Sequence, residues 1–157
     1  MQRFILLAAA LLTPVVVWAH AGHSDDPIKA RRAYFTLIGA NMGALGEMAK
    51  GKHEYSADAA QLHADNLAAL AAYQANVHFP DGTSNKDHPG KTRARREIWD
   101  GSGALSGKFS DAWEDFAETV DALVEAADKG RAEMAGALSD IGATCKGCHD
   151  DFRAKDF

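Results

Sequence analysis

The stretch Met134-Ala135-Gly136-Ala137-Leu138-Ser139-Asp140-Ile141-Gly142-Ala143-Thr144-Cys145-Lys146-Gly147-Cys148-His149-Asp150-Asp151-Phe152 sets its large apolar or sulfur-bearing side chains at positions 134, 138, 141, 145, 148 and 152. The steps alternate between four and three, so these side chains share one face of a helix. The spacing predicts a helix from about Arg131 to Lys155. A seam that regular demands a partner surface.

Three further segments supply it. Phe109, Trp113, Phe116, Val120, Leu123 and Ala127 repeat the same steps between about Lys108 and Asp128. Ile28, Phe35, Ile38, Met42, Leu45 and Met48 or Ala49 mark a segment from about Asp26 to Lys50. Pro27 suits its first turn, Asp25 or Asp26 can cap it, and Gly51 ends it. Ala60, Leu67, Leu70 and Val77 mark a segment from about Ser56 to His78, with Ser56 as cap and Phe79-Pro80 as terminator. Four helices with near-heptad seams and no strand pattern predict an all-α antiparallel four-helix bundle. The first and last connections are short, which makes antiparallel neighbours. The link at 79–107 is long and holds Pro80, Pro89 and the basic group Lys91, Arg93, Arg95 and Arg96. A link of that length in a compact domain usually has a function.

The chain has 157 residues, 46% hydrophobic and 25% charged, with a net charge of −5. Length and composition fit one globular domain and exclude a disordered chain. The acidic balance argues against a nucleic-acid partner. Residues 1–21 read as a cleavable signal peptide: Arg3, then an apolar run from Phe4 to Trp18, then small residues at Ala19 and Ala21. That run, about 15 residues, is short of the roughly 20 that span a bilayer. Cleavage is expected after Ala21, with Ala19 as the other choice. Residues 22–157 are then the bundle domain, free of membrane and exported to the periplasm.

The two cysteines fall in Cys145-Lys146-Gly147-Cys148-His149. C-x-x-C-H is the attachment sequence of c-type haem. On a helix these positions share a face, so two thiols can bond the vinyl groups while the imidazole of His149 ligates the iron. Gly147 leaves room beside the macrocycle. Three other chemistries use a cysteine pair. A thioredoxin-like dithiol belongs at a helix N-terminus beside a sheet, and this pair lies near a helix end in a strandless chain. A zinc site needs a fourth ligand, for which His53, His63, His78 and His88 have no matching spacing. A structural disulfide is the third. Export favours haem, because c-type attachment takes place outside the bacterial cytoplasm. A sixth iron ligand cannot come from beyond His149, where neither Met nor His remains. Met134 lies on the same helix about four turns away. Met42 and Met48 read better as core filler at heptad spacing.

With these residues in view, the chain resembles the bacterial cytochromes c′ over essentially the whole length after the signal. The resemblance rests on Cys145 to Arg153, on Ile28-Lys29-Ala30-Arg31-Arg32-Ala33-Tyr34-Phe35, and on Arg96-Glu97-Ile98-Trp99. Arg96 stands where the family commonly has Pro, and Arg31-Arg32 where it often has Arg-Gln. The resemblance implies one covalent haem c per chain, a five-coordinate high-spin iron, and a homodimer paired through the first two helices. Low-spin relatives carry a Met ligand at the position of Phe35, which cannot ligate. Phe35 is therefore expected to cover an open, apolar distal face.

From that face we expect NO to bind, CO to bind weakly, and O2 negligibly, since Phe35, Ile38 and Gly39 offer no side-chain donor to a bound O2. Arg31 is expected to reach a haem propionate, with Arg32 and Arg93 as further candidates. Arg153, four residues past His149, is expected one turn along the same face, where it screens the imidazole. Trp99 and Trp113 read as packing. The alternative function is that of a low-spin one-electron carrier, which requires a redox partner protein. Enzymatic turnover is not expected, because no acid–base pair is placed for it.

Overall fold

The computed structural model describes residues 26–157. The signal-peptide reading of 1–21, its cleavage site, and Asp25 as a cap lie outside the described residues. Four helices form: α1 (Pro27–Ala49), α2 (Ala57–Ala71), α3 (Gly107–Ala126) and α4 (Arg131–Phe152).

Local chemistry sets their ends. The Asp26 carboxylate accepts from the amides of Ile28 at 3.0 Å and Lys29 at 3.1 Å, and Pro27 opens α1. These are donors that the helix leaves unbonded. Ser56 and Ser106 cap α2 and α3 in the same way, each accepting at 3.3 Å. Gly51 (φ +70°) turns the chain out of α1, a conformation that disfavours any side chain. The α3–α4 turn is held by Tyr55, whose hydroxyl donates to the Ala127 carbonyl at 2.8 Å and accepts from the Gly130 amide at 3.1 Å.

Each helix packs against its chain neighbours, and α1 against α4 closes the ring. The directions alternate. Tyr34 near the start of α1 bonds Leu70 at the end of α2, and Lys108 at the start of α3 pairs with Asp151 at the end of α4. The result is the antiparallel four-helix bundle the seams predict. Leu45, Leu67, Val120, Leu123, Met134 and Ile141 are fully buried at its centre. Each contributes about 1.5–3 kcal/mol of transfer free energy. A second cluster at one end gathers Phe79, Ile98, Trp99, Phe109 and Phe152.

Two expectations need correction. Helix α2 stops at Ala71 rather than His78, and Ala75–His78 forms a separate 3₁₀ turn. Val77, assigned to the apolar stripe, is 64% exposed, whereas Ala75 is buried. The Leu70 carbonyl there accepts from the Tyr34 hydroxyl at 2.8 Å as well as from the amide of Tyr73. The chain then turns, and the Tyr73 ring lies against Tyr34. On α1 the core face also carries Tyr34, 5% exposed, which the stripe omits, while Phe35 lies against Phe79 and Trp113 on the cavity described below. The seam runs through a position whose hydroxyl masks an otherwise apolar ring.

The long link, residues 72–106, is ordered against the end of α3 and α4. Arg95 donates its amide to the Phe152 carbonyl, and Ala154 to the Arg93 carbonyl, both at 2.8 Å. The Trp99 indole donates to the Phe79 carbonyl at 2.8 Å, which makes Trp99 a packing residue. Among the described residues no helix is long and apolar enough to cross a membrane.

Candidate haem site

Between α1, α3, α4 and the long link lies a cavity of about 740 Å³. Ligand pockets commonly run to roughly 300–1,000 Å³. Helix α4 contributes Cys145, Cys148 and His149 to one wall. Helix α1 contributes Phe35, Ile38, Gly39 and Met42 to another. Phe79, Phe109 and Trp113 fill the space between.

The α4 wall has the chemistry of a covalent attachment site. Both thiols are free and half-buried. Burial raises both: Cys145 shifts upward, and Cys148 rises to about 11, helped by the neighbouring Cys145 and Asp151. A dithiol oxidoreductase needs the opposite shift, so that alternative loses its chemical basis. His149 moves the other way. Desolvation, and then the charge of Arg93, lowers its pKa, which favours the neutral imidazole that binds metals. Cys145 and His149 stand four apart and Cys148 three from Cys145 on a continuous helix, so thiols and imidazole face the same space.

The rim is cationic. Arg31, Arg32, Arg93 and Arg153 all line the cavity, and among the described residues no Asp or Glu does. Arg31 is 3% exposed. Its Nη1 donates to Thr83 Oγ1 at 2.8 Å, and its Nη2 to the Thr83 carbonyl at 2.5 Å and to Thr92 Oγ1 at 2.7 Å. Its guanidinium lies 5.3 Å from the centre of the Phe79 ring. Burial lowers its pKa to about 10, so it stays charged at neutral pH while all these hydrogen bonds go to uncharged groups. A buried cation bonded only to neutral oxygens favours an anion beside it. Arg31 is thus a pin between α1 and the link, a role its sequence position does not signal. Thr83 and Thr92, 52 and 61 residues away, are partners only because the link folds back.

Arg32 and Arg93 flank the C-terminal residue. Their guanidinium carbons lie 5.8 and 5.1 Å from the centre of the Phe157 ring, and Arg93 also donates to the Lys155 carbonyl at 3.2 Å. Phe157 itself lines the cavity, and sequence reasoning passed it over because no periodicity reaches it. The expectation for Arg153 needs a geometric correction. It does not continue the His149 face of α4, because the helix ends at Phe152 and Arg153 is extended (φ −118°, ψ 121°), bridging to Ala94. It borders the cavity by that bridge and not by helical spacing. Of the thioethers weighed as ligands, Met48 and Met134 are buried in the core, while Met42 is half-buried on the cavity wall. Trp113, read as packing, also lines the cavity.

A family profile described as Cytochrome C′ matches residues 26–153. The chain belongs to the cytochrome c′ family. Cytochrome c′ of Cereibacter sphaeroides is 38% identical over 155 residues, covering 99% of each chain. A solved cytochrome c′ from Rhodobacter spheriodes superposes with a TM-score of 0.76 at 40% identity, covering 82% of this chain and 95% of that one. A nitric oxide complex of a mutant cytochrome c prime from Alcaligenes xylosoxidans gives 0.70 at 29% identity, covering 83% and 95%. Family membership implies a covalently held haem c, and this cytochrome c′ carries the cysteine pair for it. The residues present fit that group: an apolar slot, two free thiols and an imidazole on one wall, and a rim of guanidinium groups for its carboxylates.

Proposed function

We propose that this cytochrome c′ is a periplasmic haem protein that binds NO, and CO more weakly, at a five-coordinate iron. In this reading Cys145 and Cys148 would hold one haem c by thioether bonds and His149 would ligate its iron. When bound, the haem would supply an iron that takes a diatomic ligand and a one-electron redox change. The observation that carries the reading is the α1 wall: Phe35 occupies the cavity side of α1, and a phenyl ring cannot ligate.

The protein's own groups shape what enters. Phe35, Ile38 and Gly39 present no donor. Thr36, which also lines the cavity, directs its hydroxyl to the Arg32 carbonyl at 2.8 Å. A ligand that depends on a hydrogen bond, as O2 does, is disfavoured there. Arg31 stands charged beside the cavity for a haem carboxylate, with Arg32 and Arg93 at the mouth, and Arg153 completes the basic edge. The nitric oxide complex of the Alcaligenes relative supports the choice of NO. Among the described residues no Asp or Glu lines the cavity to act as acid or base.

The second reading is a low-spin electron carrier with a redox partner protein. Met42 favours it, as the thioether on the cavity wall. The absorption spectrum of the reduced protein separates the two. A high-spin spectrum that shifts with CO supports the open site. Sharp low-spin bands indifferent to CO, and lost in Met42→Leu, establish the carrier.

The same protein is expected to pair through α1 and α2. Leu37 on α1 and Leu62 on α2 are 55% and 59% exposed, large apolar side chains left in water by the monomer. They supply a surface for a second copy.

A further inference from the structure

A row of aromatic rings runs from the cavity wall to solvent. Trp113 lines the cavity. Tyr34 lies beside it, with ring centroids 5.7 Å apart and planes 22° from parallel. Tyr73 follows Tyr34 at 5.7 Å and 29°. His78 follows Tyr73 at 5.7 Å, and its Nε2 is 2.7 Å from the Tyr73 hydroxyl. Tyr34 is buried, whereas Tyr73 is 46% exposed. The row begins in the haem cavity and ends at the surface in a phenol bonded to an imidazole.

Packing accounts for Trp113 and Tyr34. It does not account for an acid–base pair at the wet end. A phenol gives up an electron readily only if its proton leaves as well. The Tyr34 hydroxyl donates to the Leu70 carbonyl at 2.8 Å, an oxygen that does not take the proton. Burial holds that phenol protonated, with its pKa raised to about 12. Tyr73 differs. With the imidazole proton on Nδ1, His78 Nε2 accepts from the hydroxyl and can take its proton. Near-parallel rings in contact let an electron pass inward, and an oxidising equivalent drawn outward comes to rest at Tyr73.

We propose that Trp113, Tyr34 and the Tyr73–His78 pair form an outlet that carries oxidising equivalents from the haem cavity to the surface, where a soluble enediol reductant of the ascorbate type quenches them. The oxidant is hydrogen peroxide. It takes two electrons and two protons to become two waters. Each electron passes from Trp113 into the cavity and is replaced from Tyr73 across the Tyr34 ring, which bridges the two, keeps its proton and is not itself oxidised. As Tyr73 loses its electron, its phenolic proton moves to His78 Nε2. The enediol then returns one electron to Tyr73, His78 returns the proton, and the enediol leaves as a radical anion. Two passes, with two protons that the enediol releases to solvent, balance one peroxide. The outlet protects the cavity from oxidation. It is not efficient peroxidase machinery, since among the described residues no Asp or Glu lines the cavity to assist cleavage of the O–O bond.

The outlet rests on the haem reading, so haem content is fixed first by pyridine haemochrome. The loaded protein is then mixed with hydrogen peroxide and frozen for EPR. A protein radical is expected whose hyperfine splitting collapses when the tyrosine rings are deuterated. Tyr73→Phe loses most of that signal and bleaches faster in peroxide, while its CO difference spectrum stays unchanged. His78→Gln keeps a hydrogen-bond acceptor but not the base, and its radical yield falls. Tyr55→Phe, in the α1–α2 connection against the distant α3–α4 turn, retains the signal. A nitroso spin trap with peptide mass spectrometry marks Tyr73. A radical undiminished in Tyr73→Phe, a trap adduct on Tyr34 instead, or no tyrosyl radical in loaded protein overturns the outlet and leaves the haem reading standing. Protein without haem overturns both.

Discussion

Replacing Arg31 with Met cuts the pin between α1 and the long link without disturbing the helix, since Met is a good helix former of similar reach. Three hydrogen bonds from a charged donor are lost. Such bonds are individually worth about 1.5–3 kcal/mol. Against that loss, the substitution removes a guanidinium from a dry site, a relief of several kcal/mol by order of magnitude. Two of the three acceptors keep other partners. The Thr83 hydroxyl still donates to the Pro80 carbonyl at 2.7 Å, and Thr92 Oγ1 still accepts from the Ala94 amide at 3.1 Å. The Thr83 carbonyl loses its charged donor, and a buried acceptor left so costs about 1–3 kcal/mol. With the contact to Phe79 also lost, worth about 0.5–2 kcal/mol, the net destabilisation is about 2–4 kcal/mol. In urea unfolding of the haem-loaded protein, with a slope of about 2 kcal/mol per molar, the midpoint should fall by about 1–2 M with the slope unchanged. Thr83→Val should cost less alone and add less than its full effect on top of Arg31→Met, because both remove the same bonds. An unmoved midpoint, or two strictly additive effects, refutes the pin.

Replacing both Cys145 and Cys148 with Ala should leave pigment that acidified acetone extracts, whereas the parent protein keeps its colour in the protein pellet. Phe35→Ala should raise CO affinity about tenfold or more, corresponding to relief of at least 1.4 kcal/mol of crowding, and Phe35→Met should shift the reduced spectrum towards low spin. Asp87, held below the usual carboxyl range by hydrogen bonds from Ser84 and then by Arg96 and His88, and Asp100, held low by Ser102, contribute stability to the long link only while ionised. A carboxyl with a depressed folded pKa keeps that contribution above its unfolded value and loses it as pH falls through the folded one. Amide exchange in residues 81–104 should therefore accelerate below about pH 4, and Asp87→Asn should bring that faster exchange to neutral pH. Leu37→Arg or Leu62→Arg should convert a dimer to monomer in sedimentation without moving the haem spectrum.

Several features were legible in one chain because they are local. Caps, the Gly51 turn and the α3 and α4 seams depend on neighbours three or four residues away. The spacing of Cys145, Cys148 and His149 is local as well, and it located the cavity wall without coordinates. Errors arose where a distant contact overrode the local pattern. Val77 continued a stripe that the chain abandoned after Ala71, where Tyr34 and Tyr73 reorganise the helix end. Tyr34 joined the core beside the α1 stripe because Leu70 accepts its hydroxyl. Arg153 keeps the last helical amide bond, to His149, but its pairing with Ala94 turns it extended as the cap of α4.

The sequence by itself determined four amphipathic helices and the C-x-x-C-H motif, since each follows from side-chain spacing along one element, and the short first and last connections set which helices pair. Only the tertiary structure decided what surrounds that motif. Arg31 meets Thr83 and Thr92, Phe157 meets Arg32 and Arg93, and four aromatic side chains line up from the cavity to the surface. These groups come from separate helices and a folded link. No periodicity in one chain encodes which side chains meet when the link closes over the end of the bundle.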